Sequence, residues 1–293
     1  SPLLVVYNLG FPPRFVEVAN LRLQFVQGVP VAIVALGMAV VIGTSGIDLS
    51  VGSVMAIASA LLALYIGYGP LVAITIALLA GAAVGVLNGV LISRFGIQPI
   101  VATLALLVGG RGLALVIAQG RLTEMFDPVL GAIGSGQFFG VPIVVLIALG
   151  VALVVAVLVA RTTFGRYVVA SGGNPDASFL AGVPVRRTLL SVYVLSATLA
   201  ASAGIIQTAR LSASDPSFVG NLIELSAITA VVVGGTPLSG GWVRVVGTLA
   251  GAMLMQLIAA TLISHNLPDS VTRMVQAVII LGAVFIPRPR IAA

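Results

Sequence analysis

Long apolar runs follow one another along almost the whole chain, and short segments rich in Gly, Pro and Arg separate them. Only 8% of the 293 residues are charged and 59% are hydrophobic, whereas about 25% of the residues in a soluble domain are charged. A water-soluble core could not bury so much apolar surface, so the lipid bilayer must be the solvent of this chain. The sequence therefore predicts an all-α membrane protein.

The apolar runs predict about ten transmembrane helices in a single membrane domain that covers residues 1–293. Residues 1–9 are interpreted as the tail of a first span that begins before Ser1. The other predicted spans are 28–43, 47–65, 71–92, 98–119, 141–160, 188–208, 223–236, 245–263 and 270–287.

Composition excludes several kinds of chemistry. All 14 basic residues are Arg, so the lysine of a phosphate-binding P-loop and that of a Schiff base are both missing. The sequence has no cysteine and one histidine, His265, which excludes thiolate chemistry and a metal site of clustered histidines. The arginines are scattered and form no basic run, which indicates loop ends at a membrane rather than nucleic-acid binding. We therefore expect no catalytic residue, metal or cofactor in this chain.

Two predicted spans are too short to cross a hydrocarbon core of roughly 30 Å. As helices, residues 28–43 and 223–236 would reach only about 24 and 21 Å, and each runs through glycine into a polar kink. Broken helices at membrane depth occur where they line a cavity, so both kinks are predicted to line a pathway. The alternative is that these helices begin earlier, through Gln24 or Leu222.

The two kinks resemble each other in sequence. The first contains VVIG at 40–43 and LSVG at 49–52, and the second contains VVVG at 231–234 and LSGG at 238–241. Corresponding broken segments in two halves are typical of transporters built from repeats, so we predict two pseudo-repeated halves.

The loop at 161–187 contains the signals of a short helix over 175–181. Asn174 is a good N-cap, Asp176 lies at the positive end of the helix, and Gly182 can end it. A helix this short is marginal in water, so it needs a partner, the surface of its own membrane domain or the lipid interface. The arginine distribution, with eight on the side of this loop and five on the other, favours a cytoplasmic position for the loop and for both termini.

Three stretches resemble the membrane permease subunits of bacterial ABC importers for monosaccharides, of the ribose, xylose and galactose type. They are TSGIDLSVGS at 44–53, SGGNPDA at 171–177 with its continuation to 183, and the segment at 224–241 that ends in VGGTPLSGG. The likeness extends over nearly the whole chain. Ser45, Ser178 and Ser226 stand where the family has glycine, alanine and an acidic residue.

The resemblance implies a sugar conduit in the bacterial cytoplasmic membrane that works by alternating access. It implies a second permease copy or close relative, two cytoplasmic ATPase subunits that hold MgATP, and an extracytoplasmic sugar-binding protein. The helix at 175–181 would be the coupling helix that docks on the ATPase and moves the membrane helices. The residues expected to carry this coupling are Gly173, Asn174, Asp176, Phe179, Leu180 and Gly182. Pentoses, hexoses and the furanose form of galactose all remain open as substrates.

Polar and charged side chains at membrane depth are costly and are therefore candidates for the pathway or its gate. Asp48 is placed to cap the helix after it or to contact substrate, and Arg111 to pair with an acid, to snorkel or to line the path. Asn88 and Thr103 either join helices or bind sugar hydroxyls. The complete set of candidates is Asp48, Ser50, Asn88, Thr103, Arg111 and Glu224.

Other classes of protein fit the sequence less well. An ion-coupled secondary transporter needs membrane-buried carboxylates, and only Asp48 and Glu224 qualify. A permease for branched-chain amino acids or another small polar solute is the alternative within the same superfamily. A membrane enzyme lacks a catalytic constellation here.

Overall fold

The computed structural model describes residues 18–264, 274–275 and 277–279. The predicted fragment of a first span at 1–9 and His265 lie outside the described residues, as does most of the last predicted span at 270–287. The helices are α1 (Val18–Gly43), α2 (Val51–Tyr65, extended by a 3-10 turn at Ile66–Tyr68), α3 (Pro70–Ser93), α4 (Pro99–Ile117), α5 (Pro128–Ser135), α6 (Ile143–Arg161), α7 (Thr163–Gly173), α8 (Pro175–Leu180), α9 (Val185–Leu211), α10 (Ile223–Val233) and α11 (Val245–Ser264).

Seven helices in the described part are long and apolar enough to cross a membrane, namely α1, α2 with its 3-10 turn, α3, α4, α6, α9 and α11. The chain is thus a mostly helical, multi-pass membrane protein, as predicted, and the total of ten spans stays a prediction. Two short antiparallel strand pairs lie in the connections. β1 (Thr123–Glu124) pairs with β4 (Ala213–Ser214), and β2 (Gln137–Phe138) pairs with β3 (Val141–Pro142).

The prediction of a short first segment at 28–43 is wrong, because α1 begins at Val18 and has 26 residues. Arg22, Gln24 and Gln27 make its first turns look like a loop in the sequence. In the structure the Gln256 amide of α11 donates to Gln24 Oε1 at 3.0 Å and to Gln27 Oε1 at 3.2 Å. These bonds satisfy the polar side chains, so the helix continues through them.

The prediction of a short second segment is confirmed, because α10 has only 11 residues. The chain reaches its start through a non-helical segment, 212–222, that follows the end of α9. At about 1.5 Å per residue α10 is roughly 16 Å long, which is half of the hydrocarbon thickness.

Helices α1, α2 and α9 form most of the interior, while α3, α4 and α6 direct most of their surface outward. Helices α3 and α9 approach each other closely along the glycines of α3. On α3, Gly81, Gly85 and Gly89 repeat every four residues, and a Cβ on any of them would lie within 3 Å of atoms of α9. Small residues at this spacing let two membrane helices approach at backbone distance, which supplies van der Waals contact that lipid cannot replace.

Candidate functional site

A buried polar cluster surrounds Asp48, in the segment between α1 and α2. Asp48 Oδ1 accepts hydrogen bonds from the Ser50 amide at 3.0 Å and from the Ser50 hydroxyl at 2.6 Å. Asp48 Oδ2 accepts from the Ser196 hydroxyl of α9 at 2.9 Å, and the Asn88 amide of α3 donates to Ser50 Oγ at 2.9 Å. Asp48 therefore fixes the kink through Ser50, which is itself the N-cap of α2, rather than through amides of the first helical turn.

Thr103 attaches α4 to the same segment. Its hydroxyl lies 2.8 Å from the Pro99 carbonyl oxygen and 3.3 Å from that of Ile47. Asp48, Ser50, Asn88 and Thr103 all have 0% exposure. The structure thus brings four of the six predicted residues together as a sealed network that joins the 44–50 segment to α3, α4 and α9.

Arg111, in the second half of α4, holds the turn that leads into α10. One of its guanidinium nitrogens donates to the carbonyl oxygens of Pro216 and Val219 at 2.7 and 2.6 Å, and the other donates to that of Gly220 at 3.2 Å. Hydrogen bonds from a charged guanidinium to backbone carbonyls are strong inside a membrane domain. Arg111 therefore neither snorkels nor stands free, but fixes the 216–220 turn.

Glu224 lies in the first turn of α10, next to the turn that Arg111 holds. It is 4% exposed, and its Oε2 has no hydrogen-bond partner among the described residues. A Cβ at Gly52 would overlap the Gly220 carbonyl oxygen and would stand 2.7 Å from Glu224 Oε2 and 3.5 Å from Arg111 Nη2. The close approach of α2 to this turn thus requires a glycine at position 52.

A cavity of about 350 Å³ lies between the N-terminal half of α1, the C-terminal end of α9 and the segment around the start of α10. Its size falls at the lower end of the range for small-molecule sites. Its polar lining residues are Gln27, Gln207, Arg210, Asn221 and Ser226. Pro30, Val31, Phe218, Gly220 and Ile223 complete the wall.

None of the six predicted pathway residues lines this cavity. Arg111 is connected to it indirectly, because Gly220 is both a lining residue and an acceptor for the guanidinium. The sequence interpretation missed Gln27, Arg210 and Asn221. The spacing of Arg210 could have indicated its position, because it lies three residues after Gln207 and two polar side chains at this spacing share one side of a helix.

The loop at 161–187 folds into two helices. The predicted short helix is α8, and Asn174 Oδ1 caps it by accepting from the Ala177 amide at 2.9 Å. Gly182 follows it with φ +83°, a conformation that favours glycine. The second helix, α7, is not anticipated by the sequence interpretation. On α8 the side chains of Phe179 and Leu180 are 68% and 86% exposed.

The end of α7 packs directly on the two kinks. A Cβ at Gly172 would overlap the Gly43 carbonyl oxygen at the end of α1. The same carbonyl accepts from the Gly241 amide at 3.0 Å. The Ser45 hydroxyl lies 2.8 Å from the Gly172 carbonyl oxygen and 2.7 Å from the Ser239 carbonyl oxygen. We call this contact of 43–45, 172 and 239–241 the glycine joint.

Both kinks end their helices with the same hydrogen-bond pattern. The Gly46 amide donates to the Val41 carbonyl in the first kink, and the Thr236 amide donates to the Val231 carbonyl in the second. A residue with positive φ precedes each donor, namely Ser45 at +62° and Gly235 at +99°. This is the Schellman stop, in which a left-handed residue lets the chain leave the helix axis. Ser45 thus takes a left-handed conformation that glycine favours.

A family model described as "Branched-chain amino acid transport system / permease component" matches residues 21–284. The chain belongs to this family. The ribose import permease protein RbsC of Escherichia coli (strain K12) is 40% identical to this permease over 281 residues, which cover 94% of the chain and 87% of the relative. The galactofuranose transporter permease protein YtfT of the same strain is 38% identical over 266 residues, covering 90% of the chain and 78% of the relative.

The fructose import permease protein FruF of Bifidobacterium longum (strain NCC 2705) is 37% identical over 264 residues, covering 88% of this permease and 74% of the relative. No solved structure matches the chain. The predicted resemblance to permease subunits of sugar importers is confirmed by these relatives.

Proposed function

We propose that this permease is the membrane conduit of an ATP-driven importer for a monosaccharide. The observation that carries the proposal is the cavity at the start of α10, considered with relatives named for ribose, galactofuranose and fructose. Its amide, guanidinium and hydroxyl groups supply the donors and acceptors that sugar hydroxyls require. Phe218, which is 59% exposed, supplies an apolar ring face on the same wall.

The half-helix α10 connects this cavity to the glycine joint. Its first residue, Ile223, lines the cavity, and the kink after its last residue leads into 239–241. Movement of α7 and α8 would therefore act on the end of α1 directly and on α10 through the kink at 234–238, which joins α10 to the glycine joint. We propose this route as the means by which an ATPase bound to α8 alternates the access of the cavity.

The exposed apolar pair on α8 is the proposed contact with the ATPase, and Gly173, Asn174, Asp176 and Gly182 shape the same surface. Phe179 and Leu180 are large apolar side chains, and most of their surface is uncovered among the described residues. The proposed assembly places α8 and both chain termini on the cytoplasmic side of the inner membrane. A second permease subunit and an extracytoplasmic sugar-binding protein complete it.

Changing Phe179 and Leu180 to Asp is expected to release the ATPase, because two carboxylates would have to be buried in an apolar interface. Tagged permease is purified in mild detergent from its native host, and its bound proteins are identified by mass spectrometry. We expect the wild type to retain an ATPase that hydrolyses MgATP, and the double variant to lose more than about nine-tenths of it.

The control is the same double change at Phe138 and Phe139, which are 61% and 91% exposed in the loop before α6. This control should retain the ATPase. A folded wild-type permease that purifies without an ATPase would contradict the proposal and favour ion-coupled transport. Retention of the ATPase by the Phe179→Asp/Leu180→Asp variant would exclude α8 as its contact.

Changing Gln207 and Arg210 to Ala is expected to lower uptake of the transported sugar about tenfold or more, because two half-buried donors to the sugar are lost. ATP hydrolysis by the purified complex should continue, since both residues lie away from the glycine joint. The measurement is uptake of radiolabelled ribose, fructose, galactose and a branched-chain amino acid by cells, followed by hydrolysis assays on each complex.

Asn88→Ala and Thr103→Ala serve as the comparison, since their side chains are sealed in the Asp48 cluster. These variants are expected to slow transport through looser packing of the 44–50 segment, without stopping ATP hydrolysis. Normal uptake by the Gln207→Ala/Arg210→Ala variant would exclude the cavity as the sugar site. Uptake of a branched-chain amino acid in place of any sugar would establish the alternative substrate.

A further inference from the structure

A second cavity, of about 580 Å³, lies on the α8 side of the molecule between the end of α3 and the start of α9. Its lining residues are Val90, Ser93, Arg94, Arg186, Arg187 and Leu190. We call it the arginine groove. Three arginines thus line it, one directly after α3 and two at the start of α9, and none of its lining residues is acidic.

The charges that line the arginine groove favour an anion. Arg186 and Arg187 lie in the first turn of α9, which contains no acidic residue. The first turn of a helix carries a partial positive charge from its free amides, so cations are disfavoured there and anions are favoured. Arg94 adds a third positive charge from the end of α3. All three arginines are exposed at this concavity, and no acidic side chain among its lining residues pairs with them.

The apolar lining residues of the groove lie in membrane helices. Val90 and Leu190 lie inside the apolar helices α3 and α9. From Val90 an outward-facing apolar stripe continues along α3 through Leu87, which is 47% exposed, Val86, which is 45% exposed, and Leu79, which is 64% exposed. These positions repeat at three, four and seven residues and therefore share one side of the helix. A ligand that fits both the arginines and the stripe is negatively charged at one end and apolar along the rest of its length.

We propose that the arginine groove binds the headgroup phosphate of an anionic phospholipid, with an acyl chain along the α3 stripe. Basic pockets between membrane helices are a general mode of anionic lipid recognition. Free phosphate would satisfy the arginines but would leave the apolar stripe unused. The groove is separate from the cavity at α10, so the proposal does not depend on which solute is transported.

The experiment measures lipid binding to the full chain by native mass spectrometry in detergent. Phosphatidylglycerol and phosphatidylcholine with the same acyl chains are titrated separately, and inorganic phosphate is added as a competitor. We expect the wild type to bind phosphatidylglycerol about tenfold more tightly than phosphatidylcholine. Changing Arg186 and Arg187 to Gln should remove this preference, and changing both to Lys should retain most of it.

The matched control is Arg161→Gln/Arg166→Gln, which removes the same charge from exposed positions on the same side, outside the groove. This control should bind phosphatidylglycerol as the wild type does. An unfolding midpoint is measured for each variant to test whether it is folded. If the Gln variant does not fold, the comparison of the two lipids and the competition by phosphate on the wild type still test the proposal.

Three results would overturn the proposal. The first is equal binding of both lipids by the wild type, and the second is an equal loss of preference in the control. The third is displacement of phosphatidylglycerol by millimolar phosphate, which would show that the arginines bind a free anion and that the stripe contributes nothing.

Discussion

Replacing Gly172 with Ala is expected to break the glycine joint and to abolish transport. A Cβ at this position would overlap the Gly43 carbonyl oxygen and would lie 2.7 Å from the Gly241 amide nitrogen. Both neighbours are backbone atoms and cannot rotate away as the tip of a side chain would. The end of α7 must therefore move off α1, at a cost on the order of 3 kcal/mol.

Gly173→Ala is the matched control for stability, because a Cβ there meets nothing within 4 Å. Its unfolding midpoint in detergent should equal or slightly exceed that of the wild type, since alanine favours the helix. The Gly172→Ala midpoint should fall by several degrees, and sugar uptake per inserted permease should be lost. Equal midpoints for the two variants would show that the joint is looser than the structure indicates.

Replacing Asp48 with Ala is expected to destabilise the membrane domain by about 3 kcal/mol or more. The change leaves the Ser50 amide, the Ser50 hydroxyl and the Ser196 hydroxyl without their acceptor. Asp48 has 0% exposure, so water does not replace the lost carboxylate without opening the cluster. We expect a lower unfolding midpoint and little uptake. Asp176→Ala, on the exposed side of α8, should leave the midpoint unchanged.

Asp48→Asn separates the shape of this side chain from its charge. The Asn carbonyl oxygen can accept from both Ser50 donors, and its amide can donate to the Ser196 hydroxyl. We expect this variant to keep most of the stability and most of the ATP-driven uptake. A stable Asp48→Asn permease without uptake would instead indicate a titrating carboxylate and would favour the ion-coupled alternative.

The helix ends were predictable from sequence because local chemistry sets them. Asn174 before Pro175 and Gly182 after α8 locate the short helix to within one residue. The glycine kinks after α1 and α10 likewise lie where the pattern places them. The start of α1 was not predictable in this way, because its polar first turns are stabilised by Gln256, which lies far along the chain.

For the predicted site residues too, the local sequence indicated one part and distant contacts decided the other. A charged or amide side chain inside an apolar run indicates a buried partner, and Asp48, Asn88, Thr103 and Arg111 all have one. The identity of the partner does not follow from the run. Arg111 donates to backbone carbonyls of the 216–220 turn. Every residue has a backbone carbonyl, so the residue types of that turn do not indicate that it binds an arginine.

The sequence by itself determined that the chain lies in a lipid bilayer, where its apolar helices and the glycine kinks at their ends lie, and which family it belongs to. Each of these depends on composition or on neighbouring residues. Only the tertiary structure decided which polar groups meet in a cavity. Gln27, Gln207 and Asn221 come from three separate segments and line one wall only after α1, α9 and the approach to α10 have packed together. The physical reason is that a cavity is the space that packing leaves unfilled, and that space is a property of the assembled helices rather than of any one of them.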